Sequence, residues 1–103
     1  MQATTLTPHC RDMVWLKNRV ITKMTLAQIA RNESHRTRHQ NQPSPSYLSR
    51  RINRMAEAVS DAVTKQGRTA TCATLNLTIN ELDHILDYTR SLQRARLGGD
   101  VTL

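Results

Sequence analysis

Apolar residues recur along this chain at three- and four-residue steps in four separate stretches. Met13, Leu16, Val20 and Met24 form the first stripe, widened by Trp15 and Ile21, while Arg11, Lys17, Arg19 and Lys23 keep off it. That pattern predicts a helix apolar on one side and cationic on the other. Thr7-Pro8 would start it, an N-cap followed by proline at a position whose missing N–H costs nothing. A short second helix is predicted from Thr25, because Thr25 and Gln28 have capping-box spacing and Met24 and Ile29 hold the hydrophobic-staple positions around it. Leu26, Ile29 and Ala30 are its apolar contacts, and Arg31 and Asn32 lead out of it.

From Asn32 to Ser44 only Asn, Glu, Ser, His, Arg, Thr, Gln and Pro occur, which predicts a solvated loop. Pro43 and Pro45 bracket Ser44, and either Ser44 or Ser46 is suited to cap the next helix. That third helix has the clearest pattern. Leu48, Ile52, Met55, Val59 and Val63 fall on one narrow face when each residue advances by about 100°. Ser46, Arg50, Asn53, Arg54 and Glu57 fall opposite, with Tyr47 and Arg51 at the edges. The helix is predicted to run to about Thr64, followed by Lys65 and by Gly67, a residue able to take the left-handed C-terminal conformation.

A Thr-rich polar connection leads to Leu77-Thr78-x-x-Glu81-Leu82, which again combines a capping box with a staple. The fourth helix buries Leu82, Ile85, Leu86, Thr89, Leu92 and Leu97, and Gly98-Gly99 would end it. The expectation is therefore an all-α chain of about four helices. One domain would cover residues 1–97, with 98–103 as a flexible tail.

Composition agrees. A chain of 103 residues is about one domain, and with 3% aromatic residues it lacks the bulk for a large β-sandwich core. No run approaches the ~18 apolar residues of a membrane span, and no basic segment followed by an apolar stretch marks an export signal. The reading is of a soluble, cytoplasmic protein without a membrane partner.

Charge changes the picture more. Residues 1–55 carry ten Lys and Arg against Asp12 and Glu33, whereas residues 56–103 carry five cations and six anions. Twelve of the fifteen cations are Arg, whose planar fork suits phosphates and base edges. A basic half, 1–55, thus points to a polyanion, because concentrated positive charge attracts phosphates and releases counterions. The near-neutral half, 56–97, is read as the association half. Tyr88, Leu92 and Leu97 would leave apolar surface there for a second subunit.

Catalytic chemistry finds no foothold: carboxylates are scattered, and neither a Gly-rich phosphate loop nor a nucleophile motif occurs. Cys10 and Cys72 are too few for a disulfide framework, and His9-Cys10 with the His35/His39 pair makes no compact four-ligand set. Neither metal nor cofactor is expected.

The strongest constellation is Thr25-Leu26-Ala27-Gln28-Ile29-Ala30-Arg31 followed by Ser44-Pro45-Ser46-Tyr47-Leu48-Ser49-Arg50-Arg51-Ile52-Asn53-Arg54. It resembles the helix-turn-helix of bacterial and phage transcriptional regulators, a "T-x-x-x-I-A" scaffold helix before a recognition helix reading like "S-x-S-Y-L-S-R-x-I". Its turn is longer than that family's, with some thirteen polar residues between the two helices. The resemblance implies double-stranded DNA as partner, a bacterial nucleoid location and a dimer spanning two half-sites. Leu48 and Ile52 would pack on the scaffold. Ser46, Tyr47, Arg50, Asn53 and Arg54 would face the major groove with Arg51 at the edge, since Asn and Arg make paired hydrogen bonds to adenine and guanine. Ser44 and Ser46 suit a phosphate at the helix N-terminus. Arg31, Arg36 and Arg38 would hold phosphates, and with His35 and His39 the loop could enter a minor groove.

Residues 46–92 also resemble the FlhD family of activator subunits through Ser46-Tyr47-Leu48, the long amphipathic helix and Ala73-Thr74-Leu75-Asn76-Leu77-Thr78-Ile79-x-x-Leu82. That likeness implies a second regulator subunit that shares the DNA contacts. Two other classes stay open: an RNA binder using the Arg-rich loop, and a phage or plasmid protein that docks on and inhibits a host protein.

Overall fold

The computed structural model describes residues 10–40 and 42–101, with 97–101 as backbone alone. Among these, five helices and no strand occur: α1 (Arg11–Val20), α2 (Leu26–Arg36), α3 (Pro45–Gln66), α4 (Arg68–Leu75) and α5 (Ile79–Val101). No described helix is long and apolar enough to cross a membrane.

α1 buries Met13, Trp15, Leu16 and Val20, as the stripe predicts. Its N-cap is Cys10; the Thr7-Pro8 start lies outside the described residues. The helix ends as the Ile21 and Thr22 N–H groups both bond to the Lys17 carbonyl, at 2.9 and 3.2 Å. Lys23 then turns the chain with φ at +66°. Thr25 opens α2 with both arms of the capping box, at 2.8 and 3.1 Å.

α2 continues where a loop was expected, running through Asn32 to Arg36. Glu33 lies four residues beyond Ile29 and so extends the buried face, with a side chain only 2% exposed. A carboxylate on a core-facing stripe carries no apolar signal, and it is tolerated here because three donors from α1 and α2 surround it. The connection to α3 shrinks accordingly to residues 37–44.

Ser44, rather than Ser46, caps α3: its hydroxyl accepts from the Tyr47 N–H at 3.1 Å, and Pro45 takes the first helical position. α3 buries Leu48, Ile52, Met55, Ala56, Val59 and Ala62. It ends at Gly67, whose φ of +92° needs a residue without Cβ strain.

The Thr-rich connection is itself a helix. α4 buries only Thr71 and Leu75, and the Thr71 hydroxyl donates to the Gly67 carbonyl at 2.8 Å, so a polar residue occupies the packed face. The Thr78/Glu81 capping box forms as predicted, both bonds at 3.0 Å. α5 passes Gly98 and Gly99 without ending and is helical to Val101; glycine weakens a helix but still supplies its hydrogen-bonding backbone.

α3 is the hub, touching each of the other four helices, while α2 packs only on α1 and α3. One core cluster joins both halves of the chain, from Met13 and Leu16 through Leu48 and Ile52 to Leu82 and Ile85.

Candidate nucleic-acid interface

The side of α3 away from the core is built by its own periodicity. With Leu48, Ile52, Met55 and Val59 turned inward, positions 46, 50, 54, 57 and 61 fall opposite, one above another. Ser46, Arg50 and Arg54 are exposed there, and the two arginines have no hydrogen-bond or ion-pair partner among the described residues. They stand one turn apart, about 6 Å along the axis. Past Arg54 the charge reverses, with Glu57 held by Arg96 of α5 and Asp61 exposed. Only the first turns of this face are therefore cationic.

The flanking candidates divide. Tyr47 is 40% exposed, and its ring meets Trp15 of α1 edge-on at 6.2 Å. Arg51 lies over the Tyr47 ring and pairs with Asp12 of α1 at 2.9 Å, so its charge is largely committed within the fold. Asn53 departs from its expected outward role. It is half-buried against α5, where the Tyr88 hydroxyl donates to its Oδ1 at 2.6 Å. Burial pushes the Tyr88 phenol above its ordinary value, with nearby Arg19 acting the other way, so the hydroxyl keeps its proton for that bond at neutral pH. Ser44 has its hydroxyl occupied by capping.

On α2 and the following turn, Arg31 and Arg38 are exposed without a described partner, Arg38 with φ at +56°. Arg36 differs from them, since its guanidinium donates to both oxygens of Glu33. Arg11 donates to the same carboxylate at 2.6 Å, and the Trp15 indole N–H donates to it at 3.3 Å. The Arg36 hydrogen bond, assisted by Arg11 and Trp15 and opposed by burial, lowers the Glu33 pKa to about 2. His35 and His39 stand edge to face at 5.2 Å, and His39 Nδ1 is 3.1 Å from the Ser34 hydroxyl.

The basic half has two acids, Asp12 and Glu33, and the fold withdraws both into ion pairs on α1, α2 and α3. For Glu33 the available signal was its place on the Ile29 face; for Asp12 none existed, because Arg51 lies 39 residues away. Among the described residues no group of three His, Cys, Asp or Glu could hold a metal ion. Tyr88 and Leu92 are half-buried, and the exposed large hydrophobics described are Tyr47 and Ile79; the Leu97 side chain lies outside the description.

Tyr88→Phe is expected to lower the unfolding free energy by about 1 kcal/mol, one hydrogen bond's net worth. Urea unfolding checks this, and an unchanged midpoint would mean that Asn53 is not held by α5 in solution. Comparison of the chain with protein-family models, curated proteins and solved structures returned no match.

Proposed function

We propose that this protein is a DNA-binding regulator of transcription that lays the first turns of α3 in the major groove, with α1 and α2 as the scaffold of a helix-turn-helix-like unit. The observation that carries the reading is the pair Arg50 and Arg54, exposed, one turn apart and unclaimed by any described acid. A guanidinium free of internal partners is suited to the paired acceptors of guanine. Arg31 and Arg38 are the phosphate contacts of this reading. Arg51 and Asn53 act indirectly, by holding α1 and α5 against α3, and Arg36 by fixing within α2 the Glu33 carboxylate that Arg11 and Trp15 of α1 also bond. The eight-residue connection at 37–44 supports the likeness better than the longer loop expected from sequence, and Glu57 and Asp61 favour the N-terminal end of α3 as the end that approaches phosphates.

On a duplex selected from random sequence, Arg50→Ala is expected to cost about 1–3 kcal/mol and to relax preference at one base pair. Arg38→Ala should weaken all sequences alike and reduce the salt slope by about one. If the double variant Arg50→Ala/Arg54→Ala binds as the parent does through a salt series, the reading is wrong. Preference for structured RNA over duplex DNA at matched salt would also remove it. Pairing of two copies belongs to the same proposal, and light scattering on the duplex reads it directly: one chain per site excludes it.

A further inference from the structure

Away from the outer face of α3, the end of α1 and one face of α5 enclose a cleft of about 370 Å³, a volume within the range small ligands occupy. Arg19, Val20 and Lys23 form one wall; His84, Asp87 and Tyr88, with Ser91 a turn further on, form the other. The spacing of 84, 87, 88 and 91 puts all four on a single helical face.

The chemistry of these walls is uneven. Arg19 is half-buried, and one of its N–H groups donates to the Met24 carbonyl at 3.0 Å, which fixes the guanidinium while leaving further donors. The Lys23 ammonium has no described partner. Asp87, the acid of the lining, is already paired with Arg90 at 2.6 Å. Two cationic residues thus line the cleft with one acid, which has Arg90 as its ion-pair partner, beside the half-buried ring of Tyr88 and the aliphatic Val20. Lys23 adds an independent observation. Its φ of +66° is a left-handed conformation that costs an L residue about 1 kcal/mol or more and that helix ends ordinarily give to glycine or asparagine. A lysine at this position brings a cationic residue into the cleft lining at a conformational cost, and such outliers cluster at ligand sites.

We propose that the cleft binds a small organic acid, its carboxylate or phosphate held between Arg19 and Lys23 and its flat apolar body against Tyr88 and Val20. The proposal does not depend on the duplex reading. Titration of the full chain with phenyl phosphate and with benzoate, followed by amide NMR, tests it. Saturable shifts at Arg19, Lys23 and Tyr88 are expected with at least one of them, with inorganic phosphate about tenfold weaker for want of the ring. Lys23→Gly removes the ammonium yet suits the turn, so affinity should fall about tenfold while the melting temperature does not fall. Tyr88→Phe keeps the ring and should bind within about twofold of the parent. Failure of both acids to saturate by about 10 mM, equal binding of inorganic phosphate, or an unchanged Lys23→Gly affinity would overturn the proposal. Shifts at the cleft that appear with duplex DNA and with neither acid would assign it to the nucleic-acid backbone and overturn it too.

Discussion

Glu33→Ala is expected to lower the unfolding free energy by about 3 kcal/mol at neutral pH, a large share of a small domain's total. The carboxylate is 2% exposed and ties Arg11 and Trp15 of α1 to Arg36 of α2. Its removal leaves a buried indole N–H without an acceptor and two guanidinium groups without their counterion. Both arginines are about half in solvent, so they recover part of their hydration, and the loss stays below that of a fully buried pair. The pH dependence has a definite sign. Glu33 has a folded pKa near 2, against 4.5 for the unconstrained group. Its contribution is fully present above about pH 4.5 and is lost as pH falls toward 2. Urea unfolding of the parent and of Glu33→Gln from pH 7 to pH 2.5 measures it. The difference between the two should be largest at neutral pH and shrink steadily below pH 4.5. A pH-independent difference would show that the charge of Glu33 does not hold α2 to α1.

Ile52→Ala is expected to cost about 3–4 kcal/mol, from lost apolar transfer and the cavity left behind. Ile52 is completely buried in the first half of α3, the helix on which every other helix packs. For a domain of this size the melting temperature should fall by roughly 12 °C or more. The contrast with Arg50, two residues before Ile52 and on the opposite, exposed face of α3, separates folding from recognition. Arg50→Ala should leave the stability within the range of ordinary surface changes, about 0.5 kcal/mol, yet weaken duplex binding by about 1–3 kcal/mol and relax preference at one base pair, whereas Ile52→Ala at low temperature should retain preference and lose stability. Thermal melts and duplex titrations on both variants decide this. An Ile52→Ala protein with parental stability would mean that α3 is not packed as described.

Local signals in the sequence were legible wherever they were made by neighbours along the chain. The boxes at Thr25/Gln28 and Thr78/Glu81 form as their spacing predicts. The α3 stripe of Leu48, Ile52, Met55 and Val59 is buried as expected, and Gly67 ends the helix with a positive φ. Apolar periodicity failed where the packed face is polar. The last turns of α2 rest on Glu33 and Ser34, and α4 rests on Thr71 and Leu75. Glu33, Ser34 and Thr71 satisfy their side-chain hydrogen bonds through partners that apolar periodicity cannot see.

The candidate interface divides along the same line. Sequence alone determined that α3 would be amphipathic, that its early outer face would carry arginines, and that the first half of the chain would be strongly basic, because helical period and charge are properties of nearby residues. Tertiary structure decided which arginines remain available. Asp12 lies 39 residues before Arg51, and Tyr88 lies 35 residues after Asn53. Such pairs form when helix packing brings remote side chains within reach, and packing depends on the shape of the whole core rather than on any local pattern.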